Sequence, residues 1–244
     1  MAAIVAVITV WFQKYKYDKE RKPIISPLVK KYELTIVDIL TDWETRRKVD
    51  KKWSEITFQL KNFGKEPVID MNYRYSFKNY EIIKTYLKNI QLNNECNLEL
   101  KEPTFIKRKK ELLLKEASLT GIDGEMKINY KISRPILNGN PISPEKEIEV
   151  NLPSYFIILT NFLLKNPNSR LDFFSLSSIP FPKLELTIYC KDTDQRIWMT
   201  VYELYWDSRM SSSLGINGGH YQLILNSKHT FTKKMKKRNI FLIS

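Results

Sequence analysis

From Trp53 to Phe77 the chain reads WSEITFQLKNFGKEPVIDMNYRYSF. Ile56, Phe58 and Leu60 alternate with Thr57, Gln59 and Lys61. Ile69, Met71, Tyr73, Tyr75 and Phe77 then alternate with Asp70, Asn72, Arg74 and Ser76. Period-2 alternation predicts two strands, each with one face on a core and one toward water. Between them, Asn62 and Gly64 are residues that tolerate positive φ, and Pro67 fits a strand only at its first residue or on an edge. The connection is too long for a two-residue hairpin, so it either bulges or passes between two sheets.

The same reading extends along the chain. YELTIVDI (Tyr32 to Ile39) predicts a first strand. EIIKTYLKNI places Ile83, Tyr86, Leu87 and Ile90 at helical spacing. TFIKRKKELLLKEASL fits neither period. EMKINYKIS alternates through Met126, Ile128, Tyr130 and Ile132, PILNGNPISP reads as a loop, and EIEVNL alternates again with Ile148, Val150 and Leu152 inward. A helix follows Pro153, with Tyr155, Ile158, Leu159, Phe162 and Leu163 at its spacing and Asn166-Pro167 ending it. It is apolar on almost every side, which suits a plug against a sheet, and too short to span a membrane.

LELTIYCKDTDQRIWMTVYELYWD predicts a hairpin that turns at Asp192 to Gln195. Its second strand is apolar on both faces and therefore covered on both. SSSLGINGGH reads as a loop, HYQLILN as a last strand, and the end as a basic tail with a hydrophobic tip.

The first twenty-two residues, MAAIVAVITVWFQKYKYDKERK, are apolar through Phe12 and then basic. Eleven helical residues reach roughly 17 Å, about half of a bilayer core. Three readings stay open: the end of a transmembrane helix whose start is missing, a short interfacial anchor, or a buried element of the core. Aromatic residues followed by Lys14, Lys16, Lys19, Arg21 and Lys22 suit a membrane exit, with Trp11 and Phe12 at the interface. The positive-inside rule then puts the chain on the cytoplasmic side.

Seven or more strands and two helices predict a mainly antiparallel β-sandwich with helical insertions. The organisation expected is a hydrophobic segment with its basic flank over 1–22, one β-sandwich domain over 23–232 with an insertion around 78–182, and a basic tail over 233–244. ITFQLKNFGKEPVIDMNYRY resembles a strand-turn-strand pattern, Leu-x-Asn-x-Gly-x-x-Pro, of uncharacterised bacterial membrane-anchored proteins. LELTIYCKDTDQRIWMTVYELYW is similar to their terminal hairpin. The resemblance implies an immunoglobulin-like soluble domain behind N-terminal membrane helices. It implies no catalytic residue.

Composition narrows the partners. Net charge is +13, with 40 Lys and Arg against 27 Asp and Glu, which favours an acidic partner. Two basic runs stand out: Lys107, Arg108, Lys109 and Lys110, and then Lys233, Lys234, Lys236, Lys237 and Arg238. Either could grip phosphates of lipid or of nucleic acid, but neither interleaves aromatic residues as single-strand binders do. Seven glycines leave no dinucleotide loop, and Cys96 and Cys190 form no CxxC pattern. His220 and His229 are the only histidines, and no Gly-x-Ser-x-Gly, P-loop or HExxH occurs. Asp192 and Asp194 suit a turn better than a cation site, since Ca²⁺ wants six or more ligands.

The sequence thus predicts no metal and no cofactor. It predicts a non-catalytic, membrane-associated interaction or sensing module with lipid and an unknown protein as partners. The alternative is a soluble basic protein binding nucleic acid or another polyanion, and an enzyme of unknown type comes third.

Overall fold

The structure is a computed structural model that describes residues 2–35, 39–49, 53–91, 99–100, 104–108, 111–121, 124–128, 131–135, 141–165, 179–209, 214–215 and 218–235. In chain order the elements are α1 (Ala2–Glu20), β1 (Ile25–Pro27), β2 (Lys30–Thr35), β3 (Trp53–Asn62), β4 (Ile69–Phe77) and α2 (Tyr80–Gln91). Then come β5 (Glu99–Leu100), β6 (Thr104–Arg108), β7 (Glu111–Gly121), β8 (Gly124–Ile128), β9 (Lys131–Pro135), β10 (Glu147–Pro153) and α3 (Ser154–Lys165). The chain closes with β11 (Leu184–Lys191), β12 (Ile197–Arg209), β13 (Leu214–Gly215) and β14 (Gly218–Lys234).

The fold is mainly β, with antiparallel sheets and a curled half-barrel. A small sheet has the order β1-β3-β10. The large sheet runs β13-β14-β12-β11-β4-β9, with β2 also paired to β14. A third sheet, β5-β7-β6 with β8 on β7, lies wholly within the span expected to be an insertion. That span also supplies β9 to the large sheet, β10 to the small one and α3 to the core.

The parity of the Trp53 to Phe77 stretch explains its strands. Ile56, Phe58 and Leu60 are fully buried, as are Tyr73, Tyr75 and Phe77 within 2%. Their chain leaves β3 in the small sheet and enters β4 in the large one, so the connection passes between sheets. Trp53 of β3 meets the rings of Tyr73 and Tyr75 of β4 at 6.1 and 6.0 Å, so the two sheets face each other there. The Tyr32 and Tyr202 hydroxyls of the large sheet donate to Thr57 O and Ile25 O of the small one.

α3 fills the interior. Every residue from Ser154 to Leu164 is buried. Phe156 stacks on Trp206 of β12 at 4.9 Å, and Tyr155 stacks on Phe77 of β4 at 5.5 Å. A helix apolar all round belongs in such a place. Thr160 is satisfied: it donates to Phe156 O and accepts from Trp206 Nε1 at 2.9 Å.

Four expectations change. TFIKRKKELLLKEASL forms β6 and β7, paired antiparallel. The expected loop at SSSLGINGGH contains β13 and the start of β14, paired from Leu214↔Gly219. The last strand extends to Lys234, because Phe231, Lys233 and Lys234 still pair with Val201, Met199 and Trp198 of the long β12. The strand expected first is β2, described from Lys30 to Thr35, and β1 precedes it.

Candidate functional site

α1 places its apolar half in the open. Ile4, Val5, Val7, Ile8, Val10, Trp11 and Phe12 are between 59% and 70% exposed. The core reading of this segment is therefore excluded. At 100° per residue, the run from Ile4 to Phe12 samples the whole circumference of the helix. Its one polar side chain, Thr9, donates its hydroxyl to Val5 O at 2.8 Å. Such back-bonding satisfies the hydroxyl without water. An interfacial helix lying flat needs a polar face, and this half of α1 has none. No helix among the described residues is long and apolar enough to cross a membrane.

The other end of α1 is anchored on two turns of the body. Asp18 pairs with Arg196 at 2.6 Å, and Arg196 reaches Asp194 at 3.2 Å in the β11–β12 turn. Arg21 pairs with Asp194 at 3.0 Å and Glu66 at 3.9 Å, and its guanidinium lies 4.1 Å from the centre of the Tyr17 ring. Glu20 lies 3.6 Å from Lys65 of the β3–β4 corner. One exposed pair contributes little, but linked pairs sharing Arg196 and Asp194 fix a geometry. The β11–β12 turn is itself rigid. Asp192 is fully buried and accepts from Arg196 N at 2.8 Å and Trp198 Nε1 at 2.9 Å.

The β3–β4 corner is held by Asn62. Its Nδ2 donates to Glu66 O at 3.0 Å and Ile142 O at 2.9 Å, and its Oδ1 accepts from Gly64 N at 2.9 Å. Positive φ is not the reason for this motif, since Gly64 does not adopt it and the non-glycine residues that do, among the described residues, are Arg46, Asp70, Glu145 and Gln195. Gly64 is required by close approach. A Cβ there would meet Asn62 Oδ1 at 3.0 Å and Ile24 N at 3.3 Å. Between this corner and the last turns of α1 opens a cleft of about 440 Å³, lined by Lys16, Lys19, Glu20, Ile24, Phe63, Gly64 and Lys65.

Of the expected membrane-contact residues, Trp11, Phe12, Lys14, Lys16 and Lys19 stand exposed on α1, and Trp11 stacks on Tyr15 at 6.0 Å. Arg21 is engaged in the ion pairs of the helix root, and Lys22 is half-buried beside the corner. The expected polyanion residues divide. Lys107 and Arg108 belong to β6, while Lys109, Lys110, Lys236, Lys237 and Arg238 lie outside the described residues. Lys233 and Lys234 are exposed neighbours on β14, and the pleat turns them to opposite faces.

Other candidates are engaged in structure. His229 Nε2 lies 2.9 Å from Thr232 Oγ1, with its ring edge-on to Tyr202. Cys190 is a buried free thiol pushed up to about 12, first by burial and then by Asp192; Cys96 lies outside the described residues. Among the described residues no group of three His, Cys, Asp or Glu could hold a metal ion.

Sequence reasoning missed Asn161. It is fully buried on α3, donates to Ile39 O and Thr41 O at 2.9 Å each, and accepts from Trp43 Nε1. The signal was a lone amide in an otherwise apolar helix, since a buried amide demands partners. No family model, no curated protein and no solved structure matches this chain.

Proposed function

We propose that this protein is a non-catalytic interaction or sensing module held at a membrane surface by α1. One observation carries the reading: an apolar half-helix without a polar face, uncovered from Ile4 to Phe12 and mounted by ion pairs on a folded body. Water exposure of seven large apolar side chains is costly, and each one transferred to an apolar medium contributes roughly 1.5–3 kcal/mol. The basic residues that follow would place the body on the cytoplasmic side.

The body itself fits an immunoglobulin-like sandwich. The small sheet β1-β3-β10 would correspond to strands A, B and E. The run β9-β4-β11-β12 would correspond to C′, C, F and G. This order supports the resemblance to bacterial membrane-anchored proteins, and it makes the Asn62–Pro67 corner the passage from B to C.

Cell fractionation tests the reading. Full-length protein with a C-terminal tag is expected in the membrane pellet at high salt, and its tag is expected to be digested only after cells are opened. Val7→Asp with Ile8→Asp should release it to the supernatant. Wild-type protein found in the supernatant, binding polyanions with a steep salt dependence, would replace the membrane reading by the soluble alternative.

A further inference from the structure

The cleft at the root of α1 is continuous with the exposed apolar helix. Lys16, Lys19 and Glu20 share one helix face by their i, i+3, i+4 spacing, and Lys65 comes from the β3–β4 corner across the gap. Three lysines against one glutamate leave the cleft cationic. Glu20 lies against Lys65, whereas Lys16 and Lys19 have no ion pair among the described residues. The rest of the lining is apolar and projects outward: Phe63 is 45% exposed and Ile24 49%. A mainly apolar cleft with exposed lysines around its mouth matches one chemistry, a phosphate carried on an acyl chain.

Depth agrees. If α1 enters the bilayer through Phe12, Lys16 follows at about 6 Å and Lys19 at about 10 Å along the axis. The polar layer on each side of the hydrocarbon core is roughly 5–8 Å thick. Lys16 then lies within that layer and Lys19 just beyond it, and the corner that carries Phe63 is brought to the surface by the ion pairs of Glu20 and Arg21.

We infer that this cleft seats the phosphate of one anionic phospholipid headgroup, with Phe63 and Ile24 entering the interface beside α1. The site rests on the reading of α1 as a membrane helix. It gives a structural use to the Asn-x-Gly corner beyond joining two strands. Asn62 holds the turn closed, and Gly64 lets it approach Ile24 closely enough to form the wall.

Co-flotation of the full chain with vesicles decides the matter. Wild type is expected to bind pure phosphatidylcholine and to bind vesicles containing phosphatidylglycerol at least tenfold more tightly. Lysines near an anionic surface contribute about fivefold each. Lys16→Gln with Lys19→Gln and Lys65→Gln should abolish that preference while leaving phosphatidylcholine binding within about twofold. A charge-matched control, Lys31→Gln with Lys88→Gln and Lys228→Gln, should keep most of the preference. If both triple variants lose it equally, net charge is responsible and the cleft is not a site. If the cleft variant keeps it, the site is likewise overturned while the membrane reading stands. Wild type that floats with neither vesicle overturns both. Inorganic phosphate that binds wild type but not the cleft variant at low millimolar concentration, in the absence of vesicles, would assign the cleft to a free anion instead, and would overturn the lipid.

Discussion

Replacing Asn62 by Ala removes three hydrogen bonds from a residue with no exposure to solvent. Ile142 O retains Val68 N at 3.0 Å, so its loss is a second bond and not its last. The buried Gly64 N–H, by contrast, loses the acceptor that closes the turn. An orphaned buried donor costs about 1–3 kcal/mol, and each further bond about 1 kcal/mol. The sum is about 3–5 kcal/mol. For a chain of this length that corresponds to a fall in Tm of roughly 6–20 °C. Asn62→Asp is the sharper perturbation. It keeps an acceptor for Gly64 but turns carboxylate oxygen toward two carbonyls. Its penalty at neutral pH should equal or exceed that of Ala, and should shrink as pH falls and the acid protonates into a donor. Urea unfolding followed by tryptophan fluorescence, at neutral and acidic pH, reads both effects. A midpoint for Asn62→Ala within about 0.5 kcal/mol of wild type would refute the reasoning. The corner would then be held by its backbone bonds alone, Asn62 N to Lys146 O and Glu145 N to Asn62 O among them.

Three further outcomes are expected. In a Cys96→Ser background, Cys190 should react with Ellman's reagent at mildly alkaline pH only after unfolding, because burial holds the thiol protonated. Since that folded pKa lies above the unfolded one, its stabilising effect is complete below the unfolded thiol pKa and declines as pH rises through the folded value of about 12. The Glu203 carboxyl is held below its ordinary range, first by a hydrogen bond from Lys78 and then by the charges of Lys78, Lys183 and Lys228. The sign is opposite: this stabilisation is present above the unfolded carboxylate pKa and is lost as pH falls through the depressed one. Glu203→Gln should therefore flatten the acid limb of a urea-midpoint profile, and an unchanged limb would remove the pair as its cause. Trp206→Ala should cost about 3–5 kcal/mol by emptying the space against Phe156, Tyr32 and Trp43. Trp206→Phe should cost about 1 kcal/mol, mainly for the Thr160 bond, and equal losses in the two would contradict the packing account.

Alternation was legible wherever one face of a strand meets the core and the other meets water, as from Trp53 to Phe77. The crossing between sheets was one of two readings left open by a corner too long for a tight hairpin, the other being a bulge. The purpose of its residues was not legible. Asn62 looked like a backbone-tolerant turn residue, yet its value lies in contacts with Ile142, eighty positions away. Glu111 to Gly121 was illegible because LLL breaks the period of two. The end of β14 was hidden by charge: lysines 233 and 234 read as a tail, although they pair with a strand whose length could be read from Trp198 to Trp206. The open half of α1 could be read as apolar, but an apolar run looks the same in sequence whether a core covers it or not. The cleft combines α1 with a turn forty residues later, and no local pattern reports such a meeting.

The pairing of β2 with β14 has a consequence for the life of the chain before it is finished. Tyr32 lies opposite Leu223, so the edge completed by β2 must wait until β14 is synthesised. At ribosomal rates of about 5–20 residues per second, roughly two hundred residues separate these strands by ten to forty seconds. Throughout that interval α1 has already been synthesised, while the sheet that will support its root is incomplete. Contacts so distant in sequence also form slowly once available. The timetable of synthesis therefore makes α1 well before the large sheet on which its root rests can be completed.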